Sequence, residues 1–271
     1  MDCDIRRIMK DISPFSVSPN PLTLYVTDAI EAVLFKVRFT INRRQGLTVL
    51  LGDNGLGKST LVRYLHAEYD ARDDVISLMT PTPSFASEFA MMQSLCGNVG
   101  LPKRRSILAH QEELNEWLVE QYAAGYNVVW FIDEAQKLTH KMLEVVRTLL
   151  NYETGEEKLI QIVLSGQLEL RDRLFSDQQK ALRSRLMPSS VLGTLTPIEM
   201  AEMLSHRCKA VKIPNPFPAA TLEQLYVVSM GVPRAVLRLS AFAYDLMLAH
   251  KQSSIPVEYL NIAEHSVSLG D

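Results

Sequence analysis

Cysteine is scarce in this chain: Cys3, Cys96 and Cys208 are the only three among 271 residues. An odd number of thiols so far apart excludes a disulfide framework, and it offers no cluster with metal-ligand spacing. Also missing is any run of about 18 apolar residues, the length that a membrane-crossing helix needs. The first residues, Met1-Asp2-Cys3-Asp4-Ile5-Arg6-Arg7, lack the apolar centre of a secretory leader. There is no excess of positive charge either. A formal net charge of −3 excludes a uniformly basic nucleic-acid coat and leaves room only for a local basic strip. No internal repeat or low-complexity tract stands out. These absences lead to the expectation of a soluble, cytoplasmic protein without membrane insertion.

What is present is a globular composition, 47% hydrophobic and 22% charged, in a chain long enough for one large domain or a main domain with a smaller partner. The most informative stretch is Gly52-Asp53-Asn54-Gly55-Leu56-Gly57-Lys58-Ser59-Thr60, which fits the phosphate-loop pattern G-x-x-x-x-G-K-[ST]. A short apolar run precedes it at 47–51, and Leu61, Val62 and Leu65 follow at helical spacing, so the context is strand, loop, helix. Backbone N–H groups must close around a polyphosphate, and glycines at 52, 55 and 57 permit the conformations this requires. Lys58 is expected to reach the β- and γ-phosphates, Ser59 to hold Mg²⁺, and the positive end of the next helix to face the phosphates.

Ahead of this loop, residues 11–24 carry three prolines and three serines and should run extended. Phe15 is the one large ring there, either an anchor to the core or a wall of an adenine pocket. A helix is expected over 28–41 behind Thr27, with apolar positions 30, 33, 34, 37 and 41. A second strand reads at 75–79 and helices at 84–96 and 106–124. Between those helices a loop ends in Lys103-Arg104-Arg105, either a solvated charge run or a contact for DNA.

The run 128–132 has no polar alternation, which suits a strand buried on both faces of a parallel sheet. It ends in Asp133-Glu134, at the edge where ligands of open α/β sheets bind. The expectation puts this strand next to the loop-bearing one, with Asp133 orienting Mg²⁺ and Glu134 polarising the attacking water. The alternative is a capping pair for a helix at about 139–150. A further strand at 159–164 ends in Ser165-Gly166-Gln167, and Ser165 or Gln167 could sense a γ-phosphate. Arginines at 171, 173, 183 and 185 follow. An arginine delivered to a neighbour's γ-phosphate can raise the rate by roughly 10³ to 10⁵. A last strand is expected at 189–192.

Beyond 195 the pattern becomes helices alone, at 196–210, 218–229, 232–250 and 256–266. Thr196 and Glu199 form a capping box with Pro197 at the first helical position. The organisation expected is an extended segment over 1–26 packing on the core, an α/β nucleotide-binding domain over 27–195 and a small all-α lid over 196–271.

The order of these parts resembles the AAA+ ATPases. The loop at 52–59 is similar to Walker A and 128–134 (VVWFIDE) to Walker B. Ser165 or Gln167 resembles sensor 1, Arg183 or Arg185 an arginine finger, and Arg234 in Gly231-Val232-Pro233-Arg234 sensor 2. Within that class the phrases FIDEAQKL, LLNYETGEEKLIQIVLSGQLELRDRL and ALRSRL resemble the ExeA/GspA-like group, which includes type II secretion ATPases and transposition helpers of the TniB, TnsC and MuB kind.

The resemblance implies a P-loop AAA+ parallel sheet with flanking helices and a C-terminal helical lid. It also implies ATP and Mg²⁺ as ligands, sites between subunits of a ring or filament, and Arg183 or Arg185 acting in trans with Arg234 in cis. Secretion members of the group carry a membrane anchor and a cell-wall-binding part. A chain stopping at Asp271 without them reads as the free-standing branch: an ATP-dependent, double-stranded-DNA-binding regulator of transposition with a transposase or other mobile-element protein as partner, and Lys103, Arg104 and Arg105 on the DNA. The alternative is a cytoplasmic ATPase of secretion or envelope assembly that does not touch DNA.

Overall fold

The computed structural model describes residues 14–18 and 20–268. Cys3 and residues 11–13 of the expected extended stretch lie outside them. The chain divides into two compact units: Asp28–Asp53 with Lys58–Leu192, and the described residues up to Thr27 with Asn54–Gly57 and the described residues from Gly193.

The larger unit is built on five short strands: β1 (Leu47–Leu51), β2 (Val75–Thr80), β3 (Asn127–Ile132), β4 (Ile160–Gly166) and β5 (Ser190–Val191). All pairings are parallel, in the order β2-β3-β4-β1-β5. Every residue of β1, β3 and β4 is buried, as expected of central strands covered on both faces. Seven helices accompany the sheet: α1 (Asp28–Asn42), α2 (Lys58–Asp70), α3 (Glu88–Asn98), α4 (Ile107–Ala123), α5 (His140–Leu149), α6 (Leu168–Leu174) and α7 (Lys180–Arg183). The apolar side of α1 buries Val33, Leu34, Val37 and Ile41. Thr139 caps α5, accepting from the Met142 N–H at 3.3 Å. Trp130 is buried in β3, and its indole N–H donates to Thr80 Oγ1 at 3.0 Å, which satisfies the one polar atom of the largest core side chain.

One expectation is corrected here. The strand carrying Asp133 is not adjacent to the loop-bearing strand, because β4 lies between β3 and β1. Leaving β1, the chain crosses to β2 and works back through β3 before filling the gap with β4. The strand order therefore reverses beside β1, and such a switch point opens a crevice at the carboxyl edge.

The smaller unit contains α8 (Pro197–Ala210), α9 (Ala219–Ser229), α10 (Pro233–Ala249) and α11 (Val257–Ser268). The capping box is present: Thr196 accepts from the Glu199 N–H at 3.3 Å, and Glu199 accepts from the Thr196 N–H at 2.8 Å. Its core gathers Met200, Leu204, Leu225, Val236, Ala243 and Leu260 around Phe15. Arg207 is buried, and among the described residues it forms no ion pair with a carboxylate. Its guanidinium donates to the carbonyl oxygens of Ser16, at 3.0 Å, and Pro14, at 3.4 Å, and burial pushes its pKa down to about 10.

Candidate functional site

The register brings the predicted site to one edge of the sheet. Leu51 pairs with Gly166 and Leu164 with Ile132, so β1, β4 and β3 end side by side. Gly52, Gln167 and Asp133 are the residues that follow these pairs or lie one step beyond. The ladder continues past the strands, with the Gly52 N–H donating to Gly166 O at 3.3 Å.

After Gly52 the chain turns through Gly55 (φ 84°) and Gly57 (φ 91°), the left-handed region that disfavours other residues. Lys58 opens α2 and is only 5% exposed. Its ammonium donates to the carbonyls of Gly52 at 2.7 Å and Asp53 at 2.8 Å, so the lysine braces the start of its own loop. Ser59 and Thr60 follow, half-buried in the first turn of α2. Leu56 is buried, while Asp53 and Asn54 are exposed.

The loop tip, Asn54–Gly57, clusters with the helical unit. There the Arg234 N–H donates to Gly55 O at 3.0 Å. A Cβ on Gly55 would lie 2.9 Å from that of Arg234, so this approach requires glycine. Arg234 follows Pro233 at the start of α10, and its exposed guanidinium has no hydrogen bond or ion pair among the described residues.

At the end of β3, Asp133 is 3% exposed and accepts the Glu134 N–H at 3.0 Å through Oδ1. Glu134 itself is left-handed, φ 53° and ψ 34°. A non-glycine residue held there stores strain of about 1 kcal/mol or more, a feature that gathers at functional sites. The turn leaves its carboxylate half-buried, where Oε2 accepts from the Gln136 amide at 2.8 Å. The expected helix behind the pair does form, but Thr139 caps it, so Asp133 and Glu134 are not its capping pair.

The two candidates at the end of β4 differ. Ser165 lies inside the strand opposite Leu50, fully buried, its hydroxyl without a partner among the described residues. Gln167 lies beyond the strand, half-buried, and its carboxamide makes no hydrogen bond among the described residues.

Both candidate fingers are engaged within the chain. Arg183 lies over the Phe175 ring at 5.4 Å and donates to Phe175 O at 2.9 Å. Arg185 donates to Ala181 O and to Asn151 Oδ1, each at 2.8 Å. In the basic trio Arg104 forms a two-pronged pair with Glu113, whereas Lys103 and Arg105 are exposed and unpaired among the described residues.

Phe15 requires a correction. Its ring is 0% exposed and meets Phe217 and Tyr244 edge-on at 5.3 and 5.4 Å, so it anchors the helical core and has no face left for an adenine. Sequence reasoning also missed two residues that organise the site. Gln136 holds Glu134, and Arg173 on α6 donates to the carbonyls of Gln136, at 2.8 Å, and Leu138. A polar residue two places beyond Glu134 was the only signal for the first, and nothing local marked the second.

Comparison with known proteins agrees with this geometry. A family model described as AAA domain matches residues 41–174, the stretch from the approach to β1 through α6, and the parallel sheet with its flanking helices is a P-loop AAA+ fold. General secretion pathway protein A of Aeromonas hydrophila is 28% identical over 258 residues, covering 94% of this chain. The chain spans 47% of that relative's length. Among solved structures, ORC2 of Aeropyrum pernix, in ADPNP and ADP complexes, superposes with a TM-score of 0.69 at 14% identity, covering 95% of this chain and 72% of that one. The RuvB Holliday junction branch migration motor of Thermotoga maritima gives 0.62 at 19%, covering 91% and 73%. Identities this low show the fold alone. Among the described residues no helix is long and apolar enough to cross a membrane.

Proposed function

We propose that this chain binds ATP with Mg²⁺ and hydrolyses it, using the carboxyl edge of the sheet as its site. The observation that carries this reading is the meeting of three strand ends, which brings the Lys58-braced loop, the Asp133-Glu134 pair and Gln167 to one edge of the sheet. The residues fit the ligands. Lys58 and the loop N–H groups suit a polyphosphate, and the Ser59 hydroxyl with the buried Asp133 carboxylate gives the oxygen donors that Mg²⁺ prefers. Bound there, the metal would supply charge neutralisation between the β- and γ-phosphates.

Glu134 accepts a proton from water as the water oxygen attacks the γ-phosphorus, and the bond to the bridging oxygen breaks to leave ADP. Gln167, beyond the strand end, is placed better than the sealed Ser165 to meet the γ-phosphate, and Arg234 stands beside the loop tip at Gly55. We further propose that copies of the chain assemble in a ring or filament, with Arg183 or Arg185 released from its own carbonyl partners to reach the next copy's nucleotide.

For the cellular role, likeness to a general secretion pathway protein along 94% of the chain supports an ATPase that serves secretion or envelope assembly. A second reading keeps double-stranded DNA, and with it transposase-type partners, because Lys103 and Arg105 are exposed and uncommitted. Phosphate release measured with and without duplex DNA tests both. Turnover indifferent to DNA, with no mobility shift at low salt, supports the first. An ATP-dependent shift that weakens with salt and is lost on Lys103→Ala/Arg105→Ala supports the second, and no turnover under any condition overturns the hydrolysis reading.

A further inference from the structure

Gln136 touches two parts of the site at once. Its Nε2 donates to Glu134 Oε2 at 2.8 Å, and its Oε1 accepts the main-chain N–H of Gln167 at 3.2 Å. One carboxamide therefore ties the carboxylate at the end of β3 to the backbone at the end of β4. The tie is built in from both sides. Arg173 donates to the carbonyls of Gln136 and Leu138 and so fixes the turn that carries the glutamine. A Cβ on Gly166 would lie 3.0 Å from Gln136 Oε1 and 3.2 Å from its main-chain N, so the side chain enters a space that only glycine leaves open.

We propose that Gln136 is a positioning residue for Glu134, and that through Gln167 it couples the glutamate's orientation to the strand end facing the γ-phosphate. The inference rests on the hydrolysis reading above. A neutral amide suits the task. It donates to one carboxylate oxygen, which fixes the group's orientation, and leaves the other oxygen for water. It carries no charge of its own to compete with Mg²⁺ or phosphate. Because its acceptor end is held by a main-chain N–H, any displacement of Gln167 is transmitted to the Glu134 carboxylate through one rigid planar group. Loss of partners that orient ligating groups typically lowers activity on the order of 10- to 100-fold, and a similar range is expected here.

The test compares wild type, Gln136→Leu and Gln136→Glu, each checked for a native melting transition and for binding of a fluorescent ATP analogue. In Gln136→Leu, kcat should fall by about tenfold or more while analogue affinity and KM stay within about threefold. In Gln136→Glu the donor is lost and a second carboxylate faces Glu134, so kcat should fall at least as far as in Gln136→Leu, again with analogue affinity within about threefold. A merely structural role would weaken analogue binding and lower the melting transition together with kcat. Folded variants with wild-type kcat overturn this inference alone. Wild-type turnover that survives Glu134→Gln overturns the role of Glu134 on which the inference rests, and a wild type without turnover overturns the hydrolysis reading beneath it.

Discussion

Gly166 and Gln136 approach so closely that a methyl group on the glycine would sit 3.0 Å from the glutamine's Oε1 and 2.8 Å from Leu170 Cδ2. The same glycine accepts the N–H of Gly52, the first residue of the phosphate loop. One residue thus joins loop, glutamate support and central strand. Gly166→Ala should displace Gln136 and cost about 1–3 kcal/mol of stability, as overpacking of a tight interior does. Thermal or denaturant melting measures the loss. Phosphate release should drop together with it, and unchanged stability would show that the neighbouring chains yield freely.

Lys58 holds the Gly52 and Asp53 carbonyls and, in the proposed site, would also supply charge to the phosphates. Lys58→Met keeps the stem and removes both, so binding of a fluorescent ATP analogue should weaken by at least a hundredfold, roughly 2.7 kcal/mol. Equilibrium titration of the variant gives the number, and affinity near wild type would remove Lys58 from the site.

Arg173 acts on the turn behind Glu134 through two carbonyls. Arg173→Lys retains the charge but not the planar donor geometry, and Arg173→Met removes both. Each should lower kcat with analogue affinity preserved, Met the more so. Leaving buried carbonyls unpaired should also cost about 1–3 kcal/mol in denaturant unfolding.

Burial raises the thiols of both Cys96 and Cys208 from an ordinary 9.0 to about 11. In a Cys3→Ser variant the native protein at pH 8 should react slowly with a thiol reagent and react fully once unfolded. The unfolded chain loses these protons first, so the stability contribution is fully present below pH 9 and declines as pH rises towards 11. Urea titrations at pH 8 and at pH 10 should show that decline, and the slope should flatten in Cys96→Ser/Cys208→Ser.

Much of the fold was legible because its signals are local. The apolar runs at 128–132 and, interrupted only by Gln161, at 159–164 could hardly be anything but buried strands. Thr196, Pro197 and Glu199 spelled out a helix start that the structure reproduces bond for bond. The spacing of the loop glycines and Lys58 raised the expectation of phosphate chemistry, and the structure gives the loop its turns at Gly55 and Gly57. What stayed hidden depends on residues distant in the chain. That β4 separates β3 from β1 is a matter of strand order, which no local pattern encodes. Whether Phe15 met a ligand or a core depended on Phe217 and Tyr244, some 200 residues away along the chain. The Gln136 and Arg173 contacts are of the same kind: ordinary polar residues whose meaning lies in a carbonyl or carboxylate brought to them by folding.

Glu134→Gln tests the central claim most directly, because it changes one atom of the group assigned to activate water and leaves the loop, Lys58 and Asp133 intact. Phosphate release and ATP-analogue binding should be measured on the same preparation. Binding within about threefold of wild type with turnover lowered by a hundredfold or more, roughly 2.7 kcal/mol on the barrier, is the expected result. Turnover equal to wild type would contradict the assignment of Glu134, and with it the account of the sheet edge as a hydrolytic site.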